Sequence, residues 1–175
     1  MANGISTEIN KEALLALKRS TAKRLREERA LDTAPNRIQL ILDHALYLPV
    51  ENGIVAVVAL VNPTEQPEQV IGVTIEIASP DGDRFEFPAT SIPSTLPAPE
   101  IPVWYSAFPV RIAAVEALIG QMFFMADDER SMIECAQAIA SNGPLKAAVH
   151  FMTLKSGTIT CKCKVANVQH YRSMR

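Results

Sequence analysis

The chain has 175 residues, of which 48% are hydrophobic and 21% charged, and its formal net charge is −2. These values fit one folded domain with an apolar core, and they exclude a chain that is disordered throughout or basic over its whole surface. The three cysteines lack the spacing of a secreted disulfide framework, and the N-terminus lacks the pattern of a signal peptide, so we expect a cytoplasmic protein. The longest apolar run, residues 54–61, is far shorter than the roughly 20 residues of a membrane-spanning helix, so we expect no transmembrane segment.

The first predicted element is a helix over residues 8–31. Ser6 or Thr7 can cap its start, and strong helix formers follow. The segment carries seven basic residues against four acidic ones, so it is net positive while the rest of the chain is net negative. We interpret residues 1–35 as a basic helical arm and residues 36–175 as the folded domain.

The arm has a narrow apolar stripe. A helix of this length would extend for about 36 Å, which is longer than so narrow a stripe can anchor to its own domain. The sequence therefore predicts that the arm binds a protein partner or a second copy of the chain. The candidate partner-binding residues are Leu14, Leu17 and Leu25 for apolar contact and Lys18, Lys23 and Arg24 for orientation. The alternative is a helix that lies on its own domain with its charges in water.

After residue 35 the pattern changes to short apolar runs separated by turn residues. Alternating or β-branched runs of this kind predict strands, and residues 51–53 can form the tight turn of a hairpin. A short helix is predicted between two late strands, from residue 127 to a stop at residues 142–144. The predicted strands cover residues 38–48, 54–61, 70–78, 85–87, 108–112, 117–125, 145–151 and 159–165.

This order of elements favours a mainly β protein. Frequent turns without strand–helix alternation indicate an antiparallel β-sandwich, and the layout resembles that of immunoglobulin-like and fibronectin-like domains. The resemblance concerns architecture alone, because the paired cysteines and core tryptophan of true immunoglobulin domains are absent. The predicted fold is therefore an antiparallel immunoglobulin-like β-sandwich with an N-terminal α-helical arm and one short helix between late strands.

A second candidate surface is the segment 88–109, which holds half of the 12 prolines. Proline prevents a central strand here, and a long loop of this kind is often functional. It contains Trp104 and Tyr105, whose rings can stack on a sugar, an aromatic ligand or a peptide. The alternative for Trp104 is packing at the edge of the sandwich.

The sequence offers no catalytic motif. Cys161 and Cys163 lie two residues apart, which places both thiols on one face of a strand, and that face is expected to be the core. A zinc site that combines them with His170 is therefore not expected, and Cys135 is expected to be a structural thiol. We expect no metal and no cofactor.

The functional prediction is a non-enzymatic structural or accessory subunit of a larger protein assembly, which docks through its N-terminal helix. One alternative is a nucleic-acid-associated protein, because Lys162, Lys164, Arg172 and Arg175 can join the arm in one basic patch if the two ends of the chain meet. The other alternative is a carbohydrate- or peptide-binding module that uses Trp104 and Tyr105 of the proline-rich loop.

Overall fold

The structure is a computed structural model that describes residues 2–30, 38–90 and 109–173. Within these residues, no helix combines the length and the apolar character needed to cross a membrane. The described elements are the helices α1 (Ala2–Ala30), α2 (Glu129–Asn142) and α3 (Val168–Ser173) and the strands β1 (Gln39–Ile41), β2 (His44–Leu48), β3 (Gly53–Asn62), β4 (Glu68–Ala78), β5 (Arg84–Thr90), β6 (Val110–Ile112), β7 (Glu116–Phe124), β8 (Leu145–Thr153) and β9 (Gly157–Asn167).

Seven of these strands form a closed barrel. From β3 the sheet runs through β2, β9, β8, β4, β5 and β7, and β7 then pairs again with β3. The closing pair is antiparallel and long, from Ile54 opposite Phe124 to Asn62 opposite Glu116. The pair β2–β9 is parallel. β1 pairs with the second half of β3, and β6 pairs with the first residues of β4.

The predicted antiparallel immunoglobulin-like β-sandwich is therefore wrong. The mainly β class and the N-terminal helix are confirmed, and the short helix lies between β7 and β8. The strands nevertheless close into a barrel that includes a parallel pair. Sandwich and barrel strands both alternate between an inward and an outward face, so the same residue pattern fits either architecture. The pattern does not say which strands are neighbours.

Apolar side chains fill the barrel, and α2 closes one of its ends. α2 begins after Asp128, whose carboxylate accepts a hydrogen bond from the Ser131 backbone N–H at 2.8 Å. It ends at Gly143, where a positive φ of 74° suits a residue without a Cβ atom. The helix contributes three buried side chains to the barrel core, Met132, Cys135 and Ile139.

α1 packs on the outside of the barrel, against β2 and β3. The Thr21 hydroxyl donates a hydrogen bond to the Val57 carbonyl at 3.0 Å, and the Asn10 amide donates one to the Glu51 carboxylate at 2.9 Å. All ten residues of β3 are buried, because the barrel core covers one face of this strand and a second apolar cluster covers the other. That cluster joins Ala13, Leu14, Ala16 and Leu17 of α1 to Leu46, Leu48, Val55, Val57 and Phe123 of the barrel.

The single strand predicted over residues 38–48 is two strands. Ile41 lies opposite Ala59 and Ala45 lies opposite Ala56, so β1 and β2 together contain one residue more than the facing part of β3. This extra residue is the mark of a β-bulge, which bends a strand and interrupts its pairing. The bend falls at Asp43, between β1 and β2.

Candidate functional site: a cleft between β1 and β9

The barrel is split on one side. β9 pairs with β2 only over its last residues, beginning at Lys164 opposite His44. Residues 157–163 of β9 pair with β8 on one edge, and among the described residues no strand pairs with their other edge. β1 pairs with β3 alone. Because β1 leads into β2, the strands β1 and β9 separate from the His44–Lys164 pair towards their N-terminal ends.

A cleft of about 360 Å³ occupies this split. Its apolar side is formed by Ile38 and Leu40, which are only 4% and 8% exposed, and by the half-buried Ile159. Glu28 reaches it from α1, which lies outside the barrel. The described residues that line the cleft are Glu28, Ile38, Gln39, Leu40, Ser156, Thr158, Ile159 and Thr160.

The cleft continues into a second depression of about 560 Å³ at the end of the barrel. The two share Ile38 and Ser156. The second depression lies between the loop of residues 63–67, which connects β3 to β4, and the turn of residues 154–156, which connects β8 to β9. Together they form a continuous groove that is long enough for several residues of an extended chain.

Glu68 holds one wall of this groove in place. One carboxylate oxygen accepts hydrogen bonds from the Gln69 and Lys155 backbone N–H groups at 2.8 and 3.1 Å. The other accepts from the Ser156 backbone N–H at 2.9 Å and from the Ser156 hydroxyl at 2.7 Å. Burial acts to raise the pKa of Glu68, but these hydrogen bonds outweigh it and leave the pKa below its ordinary value. The carboxylate therefore fixes the β8–β9 turn.

Asn62 holds the facing wall. Its side chain is fully buried, and its amide donates hydrogen bonds to the Gln66 carbonyl at 2.7 Å and the Ala113 carbonyl at 3.1 Å. Its oxygen accepts from the Thr64 backbone N–H and from the Thr64 hydroxyl. One side chain thus ties the β3–β4 loop to the β6–β7 turn. Both walls of the groove are rigid because buried polar groups fix them.

The Cys161 thiol lies where β1 and β9 begin to separate. The Leu42 backbone N–H is directed at Cys161, whereas a continuous strand pair would direct it at a backbone carbonyl. Burial raises the pKa of the Cys161 thiol, and this hydrogen bond and the nearby Arg24 charge only partly oppose the rise. Cys163 lies deeper, and burial raises its pKa to about 12. Neither thiol is activated as a nucleophile.

The cysteines and histidines are not brought together as a metal site. Cys161 and Cys163 face the barrel core as predicted, although both are only half-buried because this edge of β9 is uncovered. Cys135 is buried in the core, and burial raises its pKa to about 12. In the part of the chain that the structure describes, no group of three or more His, Cys, Asp or Glu side chains is placed to hold a metal ion.

One row of polar side chains crosses the outer face of the sheet. The His150 Nδ1 atom lies 2.9 Å from the Thr160 hydroxyl, and its Nε2 atom lies 3.9 Å from the Glu76 carboxylate. The other oxygen of Glu76 accepts a hydrogen bond from Arg84 at 3.0 Å. The His150–Glu76 distance is too long for a hydrogen bond, so this row is not an assembled hydroxyl–imidazole–carboxylate triad.

The apolar residues predicted to contact a partner lie mostly in the protein's own core. Leu14 and Leu17 are 1% and 0% exposed and pack against β2 and β3. Leu25 is half-buried and packs against Ile41 and Val61. A partner would reach Leu14 and Leu17 only if α1 left the barrel, and the assignment of these residues to a partner stays a prediction.

The three charged candidates of the arm differ in their exposure and contacts. Lys18 is half-buried, and Lys23 is exposed and pairs with Glu27 at 3.7 Å. Arg24 donates a hydrogen bond of 2.6 Å to the Leu42 carbonyl and lies 3.8 Å from Asp43, so it serves the fold at the start of the cleft. The other two candidates, Trp104 and Tyr105, lie outside the described residues.

A basic cluster lies on the outer face of β8 and β9. Lys146 is directly opposite Lys164. Lys162 lies two residues before Lys164 on β9, opposite Ala148. All three lysines are exposed, and among the described residues none of them forms an ion pair. Like charges directly opposite each other destabilise a strand pair. The arrangement therefore leaves positive charge free for an external anion.

The comparisons with known sequences found nothing. No protein-family model matches the chain, and no curated protein sequence matches it.

Some solved structures are distantly similar. The putative ApaA protein of Bordetella pertussis is 11% identical, with a TM-score of 0.35 over 74% of this chain and 87% of that one. The Pseudomonas fluorescens alkylpurine DNA glycosylase AlkC, bound to DNA with an abasic site analog, is 10% identical, with a TM-score of 0.34 over 75% and 31%. A protein of Archaeoglobus fulgidus is 12% identical, with a TM-score of 0.34 over 66% and 84%. All three TM-scores are below 0.5, so no function is inferred from these proteins.

Proposed function

We propose that this chain is a protein-interaction module that binds an extended segment of a partner protein in the β1–β9 cleft. The observation that carries the proposal is the edge of β9 at residues 157–163, which borders this cleft and which no described strand occupies. Backbone N–H and C=O groups along such an edge are available to an added strand. The partner's main chain would supply affinity, and its alternate side chains would supply specificity.

The length of the edge suits a short peptide. The free stretch of β9, residues 157–163, contains seven residues. At about 3.3 Å per residue it extends for roughly 20 Å, the length of an average strand. The groove continues beyond Ile38 past the β3–β4 loop, so a longer segment can leave the cleft along the end of the barrel.

The composition of the edges also supports strand addition. Natural proteins commonly protect exposed edges with proline, charged side chains or a covering element. Residues 38–42 contain no proline and no charge, and residues 157–163 carry one lysine among threonine, isoleucine and cysteine side chains. Such a sequence has a high preference for the extended state and little protection against pairing. Such an edge can pair with an added strand from another chain.

The fixed walls of the groove favour binding. Asn62 and Glu68 hold the two bounding loops in one arrangement before any partner arrives. A preformed site avoids the entropy cost of ordering its own loops on binding. The role of the cleft is independent of the predicted docking through α1, which stays a second hypothesis about the same class of function.

The proposal can be tested by selecting binders from a displayed library of linear peptides. We expect selected peptides to bind the purified chain, and we expect backbone N-methylation at alternate positions to abolish binding, because methylation removes donors along one edge of the peptide. The protein control is a pair of variants. Ile159→Phe fills the cleft and should prevent binding, while Met152→Phe enlarges an exposed side chain on the adjacent strand and should not.

Both variants need the same thermal unfolding temperature as the original protein, within a few degrees, before binding is compared. Peptides that bind equally well to Ile159→Phe, or that tolerate N-methylation at every position, would contradict strand addition in this cleft. A library that yields no binder to the folded protein would also count against the proposal.

A second candidate function is association with nucleic acid through the lysine cluster of β8 and β9. The direct pairing of Lys146 with Lys164, with Lys162 beside them, favours it. The face has no exposed aromatic ring among its described residues, so this reading predicts contact with phosphates and no recognition of bases. Binding to a fluorescent single-stranded DNA should weaken steeply with salt, with a slope of about −2 for three contacts.

The control for this candidate is a charge-reversed protein. Lys162→Glu combined with Lys164→Glu should abolish DNA binding, whereas Lys11→Glu on the exposed side of α1 should not. Binding that does not depend on salt, or that survives the double substitution, would remove this candidate.

A further inference from the structure

The cleft contains a single charged side chain among the described residues that line it, and this side chain is Glu28. Its neighbour Glu27 pairs with Lys23, but in the described part of the chain no cation lies within ion-pair distance of Glu28. The nearest lining groups are uncharged, and Arg24 is engaged by the Leu42 carbonyl. The carboxylate is therefore a negative charge at a strand-sized opening, with no ion-pair partner among the described residues.

The two sides of the cleft differ in chemistry. Ile38, Leu40 and Ile159 face the barrel core. Gln39 and Thr160 belong to the opposite faces of the same strands, because successive side chains alternate along a strand. α1 packs on this outer side, so Glu28 approaches the cleft from there. An added strand would meet apolar groups on its inner face and a carboxylate on its outer face.

We propose that the bound segment is a basic amphipathic strand, with apolar residues at alternate positions and a lysine or arginine at the outward position that faces Glu28. This inference rests on the proposed function, since it specifies the chemistry of the peptide in the same cleft. The outward cation would sit beside the Glu28 carboxylate, and the inward residues would cover the apolar floor between Leu40 and Ile159. An acidic outward residue would be repelled by Glu28.

The charges around the cleft support a bound segment that carries a cation near Glu28. Arg24 lies at the start of the cleft, but its guanidinium is held by the Leu42 carbonyl and lies 3.8 Å from Asp43. Of the lysines of β8 and β9, Lys146 and Lys164 lie beyond the end of the free edge, and Lys162 lies within it but does not line the cleft. Glu28 therefore makes the middle of the cleft favour a positively charged side chain.

The test uses two acetylated, amidated seven-residue peptides, one of alternating valine and lysine and one of alternating valine and glutamate. The original protein should bind the lysine peptide about three- to tenfold more tightly than the glutamate peptide, the range expected for one partly exposed charge contact and its loss. Glu28→Lys should reverse this preference. The matched control is Glu27→Lys, which makes the same charge change at a neighbouring exposed position outside the cleft.

The outcomes separate the two proposals. If both peptides bind equally well to the original protein and to Glu28→Lys, the charge preference is overturned while strand addition stands. If Glu27→Lys reverses the preference as strongly as Glu28→Lys, the effect comes from the overall charge of α1, which also overturns it. If neither peptide nor any library peptide binds, the proposed function itself fails. A preference that fades above about 0.5 M salt would agree with a screened ion pair.

Discussion

The two sides of this barrel differ in how their strands are paired. On the side of β3 and β7, nine consecutive residue pairs close the sheet and α1 covers the outside, so both faces of β3 are buried. On the side of β1 and β9, the strands share no hydrogen-bonded pair before His44 and Lys164, and a cleft separates them. The sealed side contributes to stability, and the open side offers a binding edge.

The difference shows how a local irregularity can create a site. The one-residue bulge near Leu42 turns β1 away from the line that β2 follows beside β9. Without that extra residue, β1 could continue the parallel pairing, and the barrel would have no open edge. Substitutions on the sealed side should therefore change stability, and substitutions around the cleft should change the walls or the binding with smaller losses of stability.

The largest effect is expected on the sealed side. Leu17→Ala removes a fully buried side chain between α1 and the barrel, and we expect it to lower the free energy of unfolding by about 2–5 kcal/mol, because the cavity cannot be filled by a rigid sheet. Urea unfolding measures this directly. Leu25→Ala is the matched control, since Leu25 is only half-buried and should lose less. Equal losses would mean that the middle of α1 is not anchored as the structure has it.

A smaller effect is expected at the wall that Asn62 holds. Asn62→Asp keeps the shape of the side chain but removes the amide that donates to the Gln66 and Ala113 carbonyls. The new carboxylate would face carbonyl oxygens, so we expect a loss of about 1–3 kcal/mol. Asn142→Asp is the control, because this exposed residue of α2 donates one hydrogen bond, to Ala138. Similar thermal shifts for the two variants would contradict the role of Asn62.

The smallest effect is expected at Glu68, where it should depend on pH. The folded state lowers the pKa of this carboxyl below its ordinary value, so the charged form stabilises the folded protein above the unfolded pKa. This contribution should disappear as the pH falls through the lowered, folded pKa. Glu68→Gln should therefore reduce stability at neutral pH and flatten the decline in acid. Thermal melts between about pH 2 and 7 measure it, with Glu65→Gln in the exposed β3–β4 loop as the control. An unchanged acid decline in Glu68→Gln would contradict the assignment.

The positions of the helices and strands were predicted from the sequence more accurately than the pairing of the strands. The apolar run of residues 54–61 indicated a buried strand, and the hairpin of β8 and β9 followed from strict alternation around a glycine turn. Alternation says nothing about neighbours distant in the chain, so the β3–β7 closure and the parallel β2–β9 pair were not predicted. The contact between α1 and the barrel is also wider than the narrow leucine stripe indicates. Alanines of α1 and the polar Thr21 are buried in this contact beside Leu14 and Leu17.

The candidate site was largely invisible in the sequence. Asn62 directly follows a predicted strand and carries no further signal, and Glu68 and Glu28 carry none, because their roles depend on loops and strands that are distant in the chain. The bulge lies between Ile41 and Ala45, where Asp43 and His44 interrupt the apolar pattern but no glycine or proline marks it. A signal could have been found in the absence of protective charges along residues 38–42, but only once that segment was known to lie at an edge.

The most direct test of this account is amide hydrogen exchange of the unliganded protein, measured residue by residue by NMR. In an antiparallel pair, alternate backbone N–H groups point to opposite neighbours, so an edge strand exposes every second one. We expect alternate fast and slow exchange along residues 157–163 of β9 and slow exchange along β3, which has partners on both edges. Uniformly slow exchange across residues 157–163 would show that this edge is already occupied and would contradict an open binding cleft.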